Sequence, residues 1–184
     1  MIGVLSLTGL GVKVTSGILA LSGGALWPAL LLTALACLVL GMEVPTTAAY
    51  VICVSVAGPA LTELGLPLLT AHLFVFWFAL LSTITPPVCG AVFIAAGMAD
   101  ENWLKVAAKA MALGVGLYVI PLAMVAHPAL LALGDGPLTA VVTTLVVLAG
   151  LGAISYGLIG RFAGWLRALL VALGLTLIFV PWPV

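Results

Sequence analysis

Leu40-Gly41-Met42-Glu43-Val44-Pro45-Thr46-Thr47-Ala48-Ala49-Tyr50 and Leu81-Ser82-Thr83-Ile84-Thr85-Pro86-Pro87-Val88-Cys89-Gly90 interrupt two otherwise apolar stretches near their middles. Each tract sets Gly or Pro beside Thr hydroxyls. Backbone without regular hydrogen bonds cannot face lipid, because unpaired N–H and C=O groups are costly where no water reaches them. It persists at membrane depth only where it is buried in protein or lines a cavity. A matched pair of such interruptions points to a ligand or ion pathway. The alternative for each tract is a simple kink in a continuous span.

The surroundings of the two tracts are lipid-like. Of 184 residues, 65% are hydrophobic and 5% charged, where a soluble domain carries roughly 25% charged residues. The sequence therefore predicts an all-α integral membrane protein, with lipid as a partner. A formal net charge of zero argues against nucleic acid as a partner. No basic stretch with a cleavage site follows Met1, so no signal peptide is expected. Met1-Ile2-Gly3-Val4-Leu5 reads as the interior of a longer apolar segment, and part of the functional unit is expected upstream. Cys37, Cys53 and Cys89 form no CxxC pair and read as small buried hydrophobes.

Three segments follow from the pattern. Residues 1–24 comprise the end of a spanning helix and an interfacial arm, the latter marked by Lys13, Thr15, Ser16 and Ser22. Residues 25–99 hold the two interrupted elements. Runs 26–41 and 48–61 are each shorter than the roughly twenty residues of a span, so they predict a re-entrant hairpin with its tip at Gly41–Thr47. Glu63 to Thr70 reads as a loop. Pro86-Pro87 removes two backbone donors and pushes Thr85 out of the helical region, which predicts a discontinuous helix, 71–84 and 88–98. Residues 100–184 read as three spans: 104–133 with a soft interruption at Pro121, 138–159, and 168–182. Asp100-Glu101-Asn102 favours the helix start that follows. Gly134-Asp135-Gly136-Pro137 reads as a turn and Arg161–Arg167 as a basic connection. Lys105, Lys109, Arg161 and Arg167 place two loops on the cytoplasmic side, so the hairpin enters from outside.

The chemistry of the breaks follows from helix ends. A helix that stops inside the membrane leaves carbonyls of partial negative charge, suited to a hard cation. One arm stops near Leu40 and Gly41, and the first half of the broken helix stops near Ser82 and Thr85. Hydroxyls of Ser82, Thr83 and Thr85 add neutral oxygens, and the facing breaks suit sodium. The opposite ends attract anions: Thr46 and Thr47 open one helix, and Val88, Cys89 and Gly90 open another. Cation and anion sites side by side are what a sodium-coupled symporter of organic anions needs.

At these residues the sequence resembles a family. Gly41 to Tyr50, Ala71-His72-Leu73-Phe74-Val75-Phe76, and Ser82 to Pro87 are similar to the large, DctM-type membrane subunit of TRAP transporters. Pro45-Thr46-Thr47-Ala48-Ala49-Tyr50 and Ala71 to Phe76 resemble the fused-permease branch that works with TAXI-type binding proteins. Residues 3–133 fit the pattern nearly continuously, and the last two spans resemble that branch's C-terminal extension. The resemblance implies an elevator-type, sodium-driven permease of a bacterial inner membrane, fed with an organic acid by a periplasmic binding protein. It implies two inverted repeats, of which this sequence resembles the second, with the N-terminal repeat missing. Residues 28–60 then form the second hairpin and 71–99 the second broken helix. The family's second sodium site maps to the backbone at Gly41, Ser82 and Val88 and to Thr85, while Thr46, Thr47, Cys89 and Gly90 face substrate. Ser82 stands where many members carry glycine, and Glu43 where the position is usually small or apolar. No further cofactor is implied.

The remaining polar residues read more simply. Glu43 is expected to be solvated at the hairpin tip; the competing reading makes it an ion or proton ligand. His72 and His127 read as interfacial packing, the five cations as interface or topology charges, and Trp27, Trp77, Trp103, Trp165 and Trp182 as boundary anchors. Gly114-Val115-Gly116 reads as close helix packing. No HExxH, GxSxG or paired intramembrane aspartates occur, so an enzyme is not expected. The alternative to a transporter half is a membrane scaffold or assembly subunit, favoured if the two tracts are continuous helix.

Overall fold

In the computed structural model, residues 7–42, 44–132, 136–160 and 163–180 are described. The readings placed on Glu43, the Asp135 turn, Arg161, Trp182 and the first six residues lie outside them. Every regular element among the described residues is helical, and the chain divides into two compact units, Met1–Ala107 and Ala108–Val184.

In the first unit, α1 (Leu10–Ser22) begins after Gly9, whose left-handed φ of 63° suits a residue without a Cβ. Thr15 is buried, and its hydroxyl donates to the Val56 carbonyl at 2.8 Å. That carbonyl belongs to the last residue of α3 (Thr46–Val56), at a helix end where carbonyls lose their own helix's donors.

The chain doubles back within residues 26–56. α2 (Leu26–Leu40) ends just before Gly41, and α3 begins at Thr46. The Cys53 Sγ reaches the Cys37 carbonyl at 3.7 Å although they are 16 residues apart. In one continuous helix that separation would span about 24 Å, so the chain folds back. Leu30, Thr33, Ala34 and Cys37 are buried on one face of α2 while Leu31, Leu35 and Val39 are exposed, an apolar outer face that suits lipid. The second arm is shorter than its apolar run: Gly58-Pro59 starts a separate helix, α4 (Gly58–Glu63), since Pro59 cannot donate back to the α3 ladder.

Both arms pack on α5 (Leu68–Leu81), the first half of the broken helix, which buries Phe74, Val75, Phe78 and Ala79. The second half is α6 (Gly90–Ala99). The break between them is longer than the sequence predicts: α5 stops at Leu81 rather than near 84, and α6 starts at Gly90 rather than 88. Asp100 closes α6 in a left-handed conformation. It is Asn102, not an acid, that caps α7 (Trp103–Leu113), its Oδ1 accepting from Leu104 N–H at 2.9 Å.

In the second unit the soft interruption expected at Pro121 falls elsewhere. α8 (Val115–Ala126) runs through Pro121, and α7 and α8 bend by 41° at Gly114. Gly114 therefore marks the bend between two helices, and a Cβ on Gly116 would meet only ordinary contact with Leu151, at 3.8 Å. α9 (Pro137–Ile159) is, among the described residues, the single unbroken helix long and apolar enough to cross a membrane, with mean hydropathy 2.1. It packs along α10 (Gly164–Phe179). A Cβ on Gly174 would lie 2.5 Å from the Gly150 carbonyl and 2.5 Å from Ile154 Cγ1, so these backbones touch through glycine. Arg167 lies within α10 rather than in a connection. Its Nε and Nη2 donate to the Gly157 and Leu158 carbonyls at 2.9 and 2.8 Å, capping the end of α9. His127 Nε2 donates to the Ile178 carbonyl at 2.6 Å.

Candidate functional site

The two interruptions meet at Gly41 and Ser82. Gly41 follows the last residue of α2, and its N–H bonds back to the Cys37 carbonyl at 2.9 Å. Ser82 follows the last residue of α5 and is fully buried. The Ser82 Oγ lies 3.0 Å from the Gly41 carbonyl and 2.7 Å from the Ala79 carbonyl. One hydroxyl proton serves two acceptors, and a hydroxyl donates only once. The three oxygens thus hold more acceptor capacity than protons. Gly41 takes only a long 3.4 Å turn bond from Val44 N–H in addition.

The end of α5 shows why the helix stops early. The Ser82, Thr83 and Thr85 hydroxyls donate to the carbonyls of Ala79, Leu80 and Leu81, at 2.7, 2.9 and 2.6 Å. Short hydroxyl side chains compete with backbone N–H groups for these acceptors, and Pro86 and Pro87 offer no N–H to continue the ladder. Each donating oxygen keeps its lone pairs. Thr85 is half-buried, whereas Thr83 is exposed.

The other predicted residues occupy two helix starts. Thr46, half-buried, and Thr47, exposed, form the first turn of α3 after Pro45; Gly90 opens α6 after the buried Cys89. Neither Pro45 nor Cys89 caps its helix with a side-chain hydrogen bond. Val88 stands half-buried in the bent segment before α6. The structure therefore joins Gly41 to Ser82 directly and links Thr85 to the same helix end through Leu81.

Sequence reasoning missed a tie between hairpin and broken helix. Tyr50 on α3 and His72 on α5 share a 2.7 Å hydrogen bond between the phenol and Nδ1, and Tyr50 stacks edge-on against Phe76 at 5.6 Å. All three lie within the two motifs quoted for the resemblance, which was the available signal. Among the described residues no cluster of three His, Cys, Asp or Glu side chains could hold a metal ion. A cation at Gly41 and Ser82 would have neutral oxygens as its ligands, a donor set that suits a hard ion of low charge.

A family model described as the tripartite ATP-independent periplasmic transporter, DctM component, matches residues 1–139. Comparison with curated proteins and with solved structures gives no match.

Proposed function

This chain belongs to the DctM family of tripartite ATP-independent periplasmic transporter components, and from that premise we propose that it is the C-terminal half of a sodium-coupled permease for organic acids. The observation that carries the reading is the Ser82 hydroxyl between the Gly41 and Ala79 carbonyls. Three oxygens sharing one proton gain most from a nearby cation, and the Thr85 hydroxyl adds a further oxygen at the same helix end. Sodium held by the Gly41, Ser82 and Val88 backbone and by Thr85 would tie the hairpin tip to the broken helix.

The anion-facing half rests on the starts of α3 and α6. N–H groups at these positions have no partner within their own helix and favour negative charge. Thr46, Thr47, Cys89 and Gly90 are the residues assigned to a carboxylate substrate. Cation and substrate then neutralise each other in the low-dielectric interior, the physical basis of coupled uptake. The partners are a periplasmic binding protein of TAXI type, an N-terminal repeat of the permease, and the lipid of a bacterial inner membrane. An elevator movement would carry residues 25–99 as the transport element. Two discontinuous elements in contact favour this reading over a passive scaffold, for which continuous helices would serve.

Cysteine accessibility scanning over 40–48 and 82–90 in the assembled transporter tests the reading. Sodium should protect positions in both tracts together. Uniform inaccessibility of both, in an assembly that transports, would reduce them to ordinary kinks.

A further inference from the structure

Cys37 and Cys53 lie on opposite arms of the hairpin, and both are fully buried with free thiols. The Cys53 Sγ donates to the Cys37 carbonyl at 3.7 Å, which brings the two cysteines together across the hairpin. The Cys37 carbonyl also accepts the Gly41 N–H at 2.9 Å, so this pair sits at the end of the arm that leads into the tip. One turn before Cys37, on the same face of α2, the Thr33 Oγ1 is buried without a hydrogen-bond partner among the described residues. An unsatisfied buried hydroxyl is uncommon and asks for an explanation.

We propose that Cys37 and Cys53 form a dithiol site for a soft, two-coordinate divalent ion, for which mercury(II) is the probe. Thiolate sulfur selects soft ions, so this site is chemically distinct from an oxygen site for sodium and does not rest on the transport reading. Zinc wants four ligands, and the described residues offer no cluster of three. A monovalent soft ion on two thiolates would leave a net negative charge in a dry interior, which is costly. A divalent ion on two thiolates is neutral. Mercuric chloride is itself an uncharged molecule able to enter lipid. The reaction exchanges ligands without electron transfer: two S–H bonds and two Hg–Cl bonds break, two Hg–S bonds form, and two protons and two chlorides leave. The buried Thr33 hydroxyl, one turn before Cys37 on the same face of α2, leaves an unused donor on that face. The bridge would fasten α2 to α3 just before the turn.

The sequence provides its own assay. Glu43 lies between Cys37 and Cys53, and Glu63 between Cys53 and Cys89. A glutamate-specific protease therefore puts each thiol on a different peptide. The folded protein in membranes is treated with mercuric chloride, washed with glutathione to strip singly held mercury, denatured, alkylated and digested. The expected product is the peptide ending at Glu43 joined through one mercury, without chloride, to residues 44–63. Cys53→Ser should abolish that product, and Cys89→Ser should leave it unchanged. Mercury linking the Cys89 peptide instead, mercury held on separate peptides, or none surviving the wash would each overturn the proposal.

Discussion

Gly41 leaves no room for a side chain beside Ser82: a Cβ there would sit 2.6 Å from the Ser82 Oγ and 3.0 Å from the Ser82 Cβ. The φ of Gly41 is −85°, which any residue adopts, so space and not conformation demands glycine. Two elements 41 residues apart thus approach to backbone distance at the point where both lose their helical ladders.

Gly41→Ala should therefore destabilise the first unit by about 1–3 kcal/mol, the usual range for overpacking. Ser82→Gly in the same chain should recover much of the loss, because it removes two of the three close atoms. The Cys37 carbonyl, at 3.0 Å from that Cβ, would keep the recovery incomplete. Thermal unfolding in detergent of the two single variants and the double reads the coupling. Simple additivity would show that the contact is not made.

Much of this arrangement was legible in the sequence, for identifiable reasons. Gly41 with Pro45, and Pro86 with Pro87, cannot continue a helix, so both breaks were readable from residue type alone. The extent of the second break was not. It depended on three hydroxyls turning back onto Ala79, Leu80 and Leu81, a choice that the same residues could have made otherwise. Pro121 lacks an N–H and so marks the expected soft point of its span, yet the bend falls at Gly114. The Cys37–Cys53 and Thr15–Val56 contacts depend on how the hairpin turns and on what packs behind it, and periodicity carries no such information. Helix-end chemistry points to Gly41, Ser82 and Thr85 as oxygen ligands, the resemblance adds Val88 and the backbone assignment, and the geometry adds the direct Gly41–Ser82 contact.

Tyr50→Phe removes the 2.7 Å bond to His72 while keeping the ring against Phe76. The expected cost is about 0.5–1.5 kcal/mol. In a double-mutant cycle with His72→Phe the two changes should be coupled, the double variant losing less than the sum. Independent effects would mean that the hydrogen bond does not join the hairpin to α5.

Gly174→Ala should be the most damaging change in the second unit. Its Cβ would enter the space of the Gly150 carbonyl and Ile154, each at 2.5 Å, and a backbone carbonyl cannot move aside as a flexible side chain can. A loss of about 2 kcal/mol or more is expected. Gly152→Ala on the facing helix, α9, meets nothing within 4 Å and should be neutral or slightly stabilising through helix propensity. Thermal melts of the two variants make the comparison, and equal melting temperatures would argue against close α9–α10 packing.

If the hairpin tip and the broken helix share one sodium ion, the sodium activation curve of uptake must depend on both. The measurement uses the complete transporter with its binding protein, carrying Ser82→Ala, Thr85→Ala or both. Thr85→Ala removes a neutral ligand oxygen, and Ser82→Ala removes the hydroxyl that holds the Gly41 carbonyl in place while keeping the Ser82 backbone; each should raise the half-activating sodium concentration by about tenfold, equivalent to about 1.4 kcal/mol. The order of preference among substrates should stay the same. The double variant should fall short of the product of the two single effects, because both act on one ion. Sodium activation curves that match the unaltered transporter in both single variants would contradict the account.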